Sequence, residues 1–165
     1  MNEAISLIED LYRYNDWANG RIFDMCRGLT NPQLDTEREL GLGSLRNTMF
    51  HILTAEQIWL ERWQVASWRP FPMDSQGVAL DDIEAQLRQI SQARQQLVNA
   101  ERATQWKRVV KYQDSHRTAY SNPLDVLLLH VANHSTYHRA QALSFLKDFG
   151  RTAAVGLDYV LYKLA

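Results

Sequence analysis

The sequence predicts an all-α protein, a four-helix bundle whose long connection carries a short hairpin and whose C-terminus is a short helix. Three observations lead there: four amphipathic stretches of helical length, the Pro- and Gly-containing breaks between them, and a composition of 45% hydrophobic and 22% charged residues over 165 residues. That balance suits one hydrophobic core, so residues 1–165 are expected to form a single domain.

The first stretch, about residues 2 to 28, sets Ile5, Ile8, Tyr12, Ile22, Phe23 and Cys26 at helical spacing, and "GLTNPQLD" breaks it. After "LGLGS", Ser44 is an N-cap candidate for a second helix from Leu45 to Trp63, which is amphipathic and free of Gly and Pro. "SWRPFPMDSQG" holds two prolines and a glycine and reads as a loop. Ile83, Leu87, Ile90 and Leu97 then define a third helix, from about Leu80 to Ala100. The stretch "QWKRVVKYQDSHRTAY" mixes β-branched and aromatic residues around the polar "QDSH", the pattern of a hairpin. Asn122 followed by Pro123 predicts an N-cap and first-turn proline for a fourth helix that runs to about Phe149 and stops at Gly150, with Asp125 placed to suit the helix dipole. "VGLDYVLYKLA" supplies the terminal helix. The length of the third connection leaves the spatial order of the helices open.

Charge and composition narrow the function. A net charge of −1 and a pI near 6.5 give no basic stripe for nucleic acid or anionic lipid. No apolar run reaches the ~18 residues of a membrane span, and the acidic "MNEAISLIEDLYRYNDW" lacks the basic start of a secretory signal, so a cytoplasmic protein is expected. The single cysteine, Cys26, excludes an internal disulfide or a Cys-rich zinc cluster and reads as a small buried hydrophobe. Any metal must rely on His, Asp or Glu.

"VANHSTYHRAQ" supplies that possibility. At ~100° per residue, His138 lies ~40° round from His134, and Leu127, Val131, Ala142, Phe145 and Phe149 fall within ~80° on the same side. Asn133, Thr136, Arg139 and Lys147 take the opposite or flanking directions, and His130 sits at the edge of the apolar stripe. On the second helix His51 shares its side with Ala55, Ile58 and Trp59 and also points inward. Two imidazoles at i and i+4 plus a third from a packed neighbour can hold a divalent metal. A lone inward histidine is more often a hydrogen-bonded core residue, and it is the combination of three that favours ligation. His116 reads as a solvated loop residue.

These motifs resemble the DinB family of four-helix bundle proteins over nearly the whole chain. The resemblance rests on "YNDWAN", "HILTAEQIW" and above all "HVANHSTYHRAQ", followed by "LDYVLY". It implies His51, His134 and His138 as metal ligands; the family's usual His-Arg-Gly-Gln has Ala140 in place of its glycine here. It also implies thiol-dependent transferases or isomerases using bacillithiol, mycothiol or glutathione, and a homodimer.

Three neutral histidines leave coordination positions open, as catalytic sites do, and imidazole suits zinc or nickel. The leading expectation is a small thiol held as its thiolate and aimed at a small electrophilic substrate. A hydrolase using metal-activated water is the alternative, and it needs a general base; Glu56 points ~140° from His51 and reads as a solvated charge. A non-catalytic protein whose metal stabilises the bundle is the third reading. Gln141, ~20° from His134, is placed either to orient a ligand or to pack; His130 stands between a supporting role and a boundary position. Tyr137 reads as bundle packing with its hydroxyl a candidate donor. Trp59, Trp63, Trp68 and Phe71 are read as core or subunit packing, with a hydrophobic substrate mouth as the alternative.

Overall fold

The computed structural model describes residues 3–39, 41–65, 70, 74–152 and 156–165, and of residues 3–6 and 65 the backbone only. Trp68 and Phe71, read above as packing or a substrate mouth, and the side chain of Ile5 lie outside the described residues. Four long helices appear: α1 (Glu3–Cys26), α3 (Leu45–Val65), α4 (Leu80–Ala100) and α5 (Leu124–Asp148). The two short ones are α2 (Asn31–Leu34) and α6 (Tyr159–Tyr162). α1 ends two residues before Gly28, whose φ of +77° turns the chain out of the helix. The "GLTNPQLD" break is itself folded into α2, because Thr30 and Gln33 cap each other and Pro32 is placed in its first turn.

The expected hairpin is present as β1 (Val109–Gln113) and β2 (Ala119–Pro123), antiparallel with Lys111 opposite Ser121. It corrects the predicted start of the last long helix. Asn122 is not an N-cap: it pairs with Val110 in the sheet and its Oδ1 accepts the Tyr112 hydroxyl at 3.0 Å. Pro123 takes the cap position in extended conformation, and the backbone N–H of Leu124 donates to the Arg108 carbonyl. The ladder claims these residues before the helix can begin.

α5 packs on α1 and α3, and α4 packs on the same two helices. The bundle therefore places α1 diagonal to α3, and α4 diagonal to α5, which the long connections permit. The hairpin rests with β1 on α3 and β2 on α5.

The apolar core comes in two parts. One gathers Ile22, Phe23, Cys26, Met49, Ile52, Ile83, Phe145 and Leu146; the other gathers Ile8, Tyr12, Leu60, Trp63, Val98, Trp106, Leu124 and Leu128. Between them on every long helix lies a buried polar position: Asn15 and Asn19 on α1, Glu56 on α3, Arg94 on α4, Ser135 and Arg139 on α5. Glu56 Oε1 accepts from Asn15 at 2.8 Å, Asn19 at 3.4 Å and Ser135 at 3.1 Å, while its other oxygen pairs with Arg94, which also pairs with Asp16. Arg139 donates to Asn15 at 2.5 Å and Asn19 at 3.0 Å. Glu56 is thus not the solvated charge its helix position suggested, and Arg139 is buried rather than turned to water, because each finds charged or amide partners on other helices.

Candidate metal centre

His51 stands one and a half turns before Glu56 on α3, and His134 and His138 flank Ser135 and Arg139 closely on α5. The polar layer that fastens α3 to α5 therefore lies beside the point where the three imidazoles meet. His134 Nε2 is 3.4 Å from His51 Nε2 and 3.2 Å from His138 Nε2, and one ligand nitrogen from each ring lies within 4.8 Å of the others. The rings of His51 and His138 are 4.4 Å apart, centre to centre. His138 is buried, the other two half-buried.

Burial, reinforced by the neighbouring imidazole of His138, pulls the pKa of His51 down to about 4. Burial and then the charges of His138, His51 and His130 pull His134 down to about 3. At neutral pH the three rings are uncharged, which is the state a metal ligand must have.

Gln141 settles which nitrogen of His138 is free. Its side-chain oxygen lies 2.9 Å from His138 Nδ1, so the Nδ1 hydrogen donates to the amide and the Nε2 lone pair faces the other rings. Gln141 is in turn backed by Gly41, whose φ is +67° and where a Cβ would come within 3.2–3.3 Å of the Gln141 amide. Position 41 is the place where the loop before α3 must approach this closely, and glycine allows it.

The cluster fits a divalent cation. His134 Nε2 faces two nitrogens, and one of them, on His138, already presents a lone pair; a single hydrogen on His134 would have to be shared between both neighbours. A cation satisfies all three lone pairs at once. Imidazole nitrogens bound at about 2.0–2.1 Å on a tetrahedral ion stand about 3.3–3.4 Å apart, close to the 3.4 and 3.2 Å that separate His134 Nε2 from its two neighbours. His134 Nδ1 is buried without a hydrogen-bond partner among the described residues, so packing holds that ring where Gln141 holds its neighbour.

The other candidates fall in different places. His130 is exposed, with its ring 6.0 Å from that of His134 and 5.1 Å from that of Trp59, beside the triad rather than in it. Tyr137 is not bundle packing: it is 62% exposed and sets its ring against the edge of His138, because its direction on α5 lies outside the packed faces. His116 is exposed at the hairpin turn, where its backbone N–H donates to Asp114. Cys26 is in the core. Trp63 is buried and Trp59 half-buried. Sequence reasoning gave no buried role to Asn15, Asn19, Glu56, Arg94, Ser135 or Arg139. A signal was available in the i, i+4 spacing of the polar pairs Asn15/Asn19 and Ser135/Arg139, with Tyr12, Ala18 and Ile22 three positions away on the face of the first pair and Val131, Ala132 and Ala142 three or four positions away on the face of the second.

Fold and site together define a helical bundle that builds a three-histidine cluster between facing helices, an arrangement such bundles use for metal and cofactor sites. The family model of the DinB family matches residues 1–165, and the chain belongs to that family. Protein DinB of Bacillus subtilis (strain 168) is 23% identical over 159 residues, covering 92% of this chain and 91% of that protein. Two solved structures share the fold. A DinB-like protein from Bacillus cereus ATCC 10987 has a TM-score of 0.63 at 19% identity, covering 88% of this chain and 93% of that one. YfiT from Bacillus subtilis, described as a probable metal-dependent hydrolase with an unusual four-helix bundle topology, has a TM-score of 0.56 at 15% identity, covering 88% and 89%. Among the described residues no helix is long and apolar enough to cross a membrane.

Proposed function

We propose that this chain is a metal-dependent enzyme in which His51, His134 and His138 hold a divalent cation, and that it activates a low-molecular-weight thiol for transfer to a small electrophile. The convergence of three uncharged imidazole nitrogens at 3.2–3.4 Å from the central one carries this reading. Zinc and nickel both suit imidazole and are the candidate ions. When bound, the ion supplies positive charge that favours a thiolate over a thiol.

The chain's own residues do the rest. Gln141 fixes the His138 tautomer so that its Nε2 faces inward. Glu56, the carboxylate nearest in sequence to His51, is occupied by Arg94, Asn15, Asn19 and Ser135 and does not serve as a base. His130, beside His134, is assigned the proton released by the thiol. The sulfur then attacks an electrophilic carbon: the C–S bond forms, the bond to the leaving group breaks, and the leaving group departs with its electron pair. Bacillithiol, mycothiol and glutathione are the candidate thiols. A second reading, hydrolysis of a small ester or amide with His130 as base for water, draws on the description of YfiT. We also propose a homodimer, tested by light scattering of the purified protein.

The deciding experiment measures metal per chain in tag-free protein. Wild type and His130→Ala are expected to carry about one divalent ion, and His51→Ala, His134→Ala and His138→Ala to lose it. Metal-loaded protein is then offered each thiol with chlorodinitrobenzene, and separately an activated ester without thiol. Absence of metal after loading, or triad variants that bind it like wild type, would sink the proposal; ester turnover without thiol turnover would select the hydrolase reading.

A further inference from the structure

Beyond the triad, a cleft of about 440 Å³ opens between the hairpin and the helices α3 and α5. Trp59, Arg62, Tyr112, Tyr120, Asn122 and His130 line it. Its wall is a continuous run of rings that starts at the metal-binding cluster. His134 is 6.0 Å from His130, His130 meets the edge of Trp59 at 5.1 Å, Trp59 meets Tyr112 at 5.0 Å, and Tyr112 stacks on Tyr120 at 5.6 Å with 24° between planes. Core packing does not require this wall to face outward, yet Tyr120 is 45% exposed and His130 is exposed.

One cation is set into the wall. The Arg62 guanidinium lies 4.7 Å from the centre of the Trp59 ring and 5.4 Å from that of Tyr112, and its Nη2 donates to the Gln113 carbonyl at 2.7 Å. That bond and the two rings hold the planar group in place, which reduces the entropy lost when it receives a ligand. Asp114, the acid at the cleft's outer end, is engaged by the backbone N–H groups of His116 and Thr118, at 2.8 and 2.9 Å, and by the Tyr120 hydroxyl at 3.2 Å. Aromatic faces beside an oriented guanidinium complement a planar ring that bears a carboxylate. The volume lies in the range of small-molecule pockets.

We propose that this cleft is the substrate subsite and that it selects an aromatic carboxylate, the ring lying against the aromatic wall at the exposed Tyr120, the carboxylate on Arg62, and the reactive end directed past His130 towards the triad. The role as substrate subsite rests on the metal-centre reading; the binding itself does not.

The test is calorimetric titration of the metal-loaded protein with naphthoate, with neutral naphthamide as the uncharged control. Naphthoate is expected to bind, and naphthamide about tenfold or more weaker, since a charge-assisted hydrogen bond is lost. Arg62→Gln is expected to lower naphthoate affinity by about tenfold, and Tyr120→Ala, at an exposed ring whose removal leaves the fold intact by circular dichroism, to weaken it several-fold. His134→Ala is expected to lose metal yet keep naphthoate binding within about twofold. No naphthoate binding, or equal binding by Arg62→Gln, overturns the inference. Binding that vanishes in His134→Ala and ignores Arg62 places the carboxylate on the metal and also overturns it, while the metal reading stands. Wild type that takes up no metal but binds naphthoate through Arg62 does the reverse, refuting the metal reading and supporting the cleft.

Discussion

Replacing Glu56 with alanine is expected to be the most damaging single truncation of a charged residue in this protein. The side chain is 2% exposed, and four helices meet on it: Asn15 and Asn19 from α1, Arg94 from α4 and Ser135 from α5. Truncation leaves the Arg94 charge buried with Asp16 as its remaining carboxylate partner among the described residues and strips an acceptor from three neutral donors. Breaking one side of a buried ion pair costs about 3–5 kcal/mol, and the retained Asp16 contact holds the ionic part near the lower figure. Water entering the polar cavity restores much of what the three donors lose, leaving about 1 kcal/mol between them, so the total is about 4 kcal/mol, within a range of about 3–5 kcal/mol. For a chain of this size that is a fall in Tm of about 6–20 °C. Glu56→Gln keeps the shape and one acceptor, and its loss is expected to be about half as large. Glu37→Ala, at an exposed position, is expected to change stability by less than about 0.5 kcal/mol. Urea and thermal unfolding of the metal-free proteins, with chelator present so that binding does not contribute, measures all three. A Glu56→Ala protein within about 1 kcal/mol of wild type would refute the argument.

Three further outcomes follow from the site. Gln141→Ala removes the acceptor that fixes the His138 tautomer and is expected to weaken metal binding about 10–100-fold by competition with a chelating dye, with Gln141→Glu largely restoring it. In metal-free protein the folded pKa values of His51 and His134 lie near 4 and 3, below the unfolded value of ~6.5, so the unfolded chain binds more protons across that window. Their contribution to stability is full above ~6.5 and is lost progressively as pH falls towards 4 and below; urea unfolding at pH 7.5 and 5 is expected to show the fall, and His134→Gln to flatten it. Cys26, buried with its thiol pushed up to about 12 by desolvation, is expected to resist iodoacetamide in the folded protein and to react in urea.

The helices, hairpin and histidine convergence were legible because each rests on a local pattern. Period 3.6 put His134 and His138 on the apolar face of one helix and His51 on that of another, and that sufficed to bring them together without knowing the helix order. What escaped was the polar layer. A single helix can only say that Glu56 and Arg139 diverge from the apolar stripe, and burying a charge is costly unless it is paired. The pairing is non-local: Glu56 finds Asn15 across 41 positions, and Arg139 finds the same residue across 124. Asn122 escaped for the related reason that a strand pairing claims it, overriding a good local cap signal.

The polar layer also explains why the three motifs occur together in one chain. "YNDWAN" supplies Asn15 and Asn19, "HILTAEQIW" supplies His51 and Glu56, and "HVANHSTYHRAQ" supplies His134, Ser135, His138, Arg139 and Gln141. On α3 and α5 a ligand face and an anchoring face sit side by side. Apolar ridges alone permit neighbouring helices to slide by a turn, about 5.4 Å, at modest cost, whereas the cluster needs its nitrogens within a few tenths of an ångström. A hub that accepts specific donors from α1 and α5 and pairs with Arg94 of α4 has one satisfied register, and a slip of one turn would strand Glu56, Arg94 and Arg139 together. Retaining buried charge where an apolar layer would pack as well is therefore consistent with a requirement for alignment: the layer sets α5 against α3, and the ring of His51 then meets those of His134 and His138.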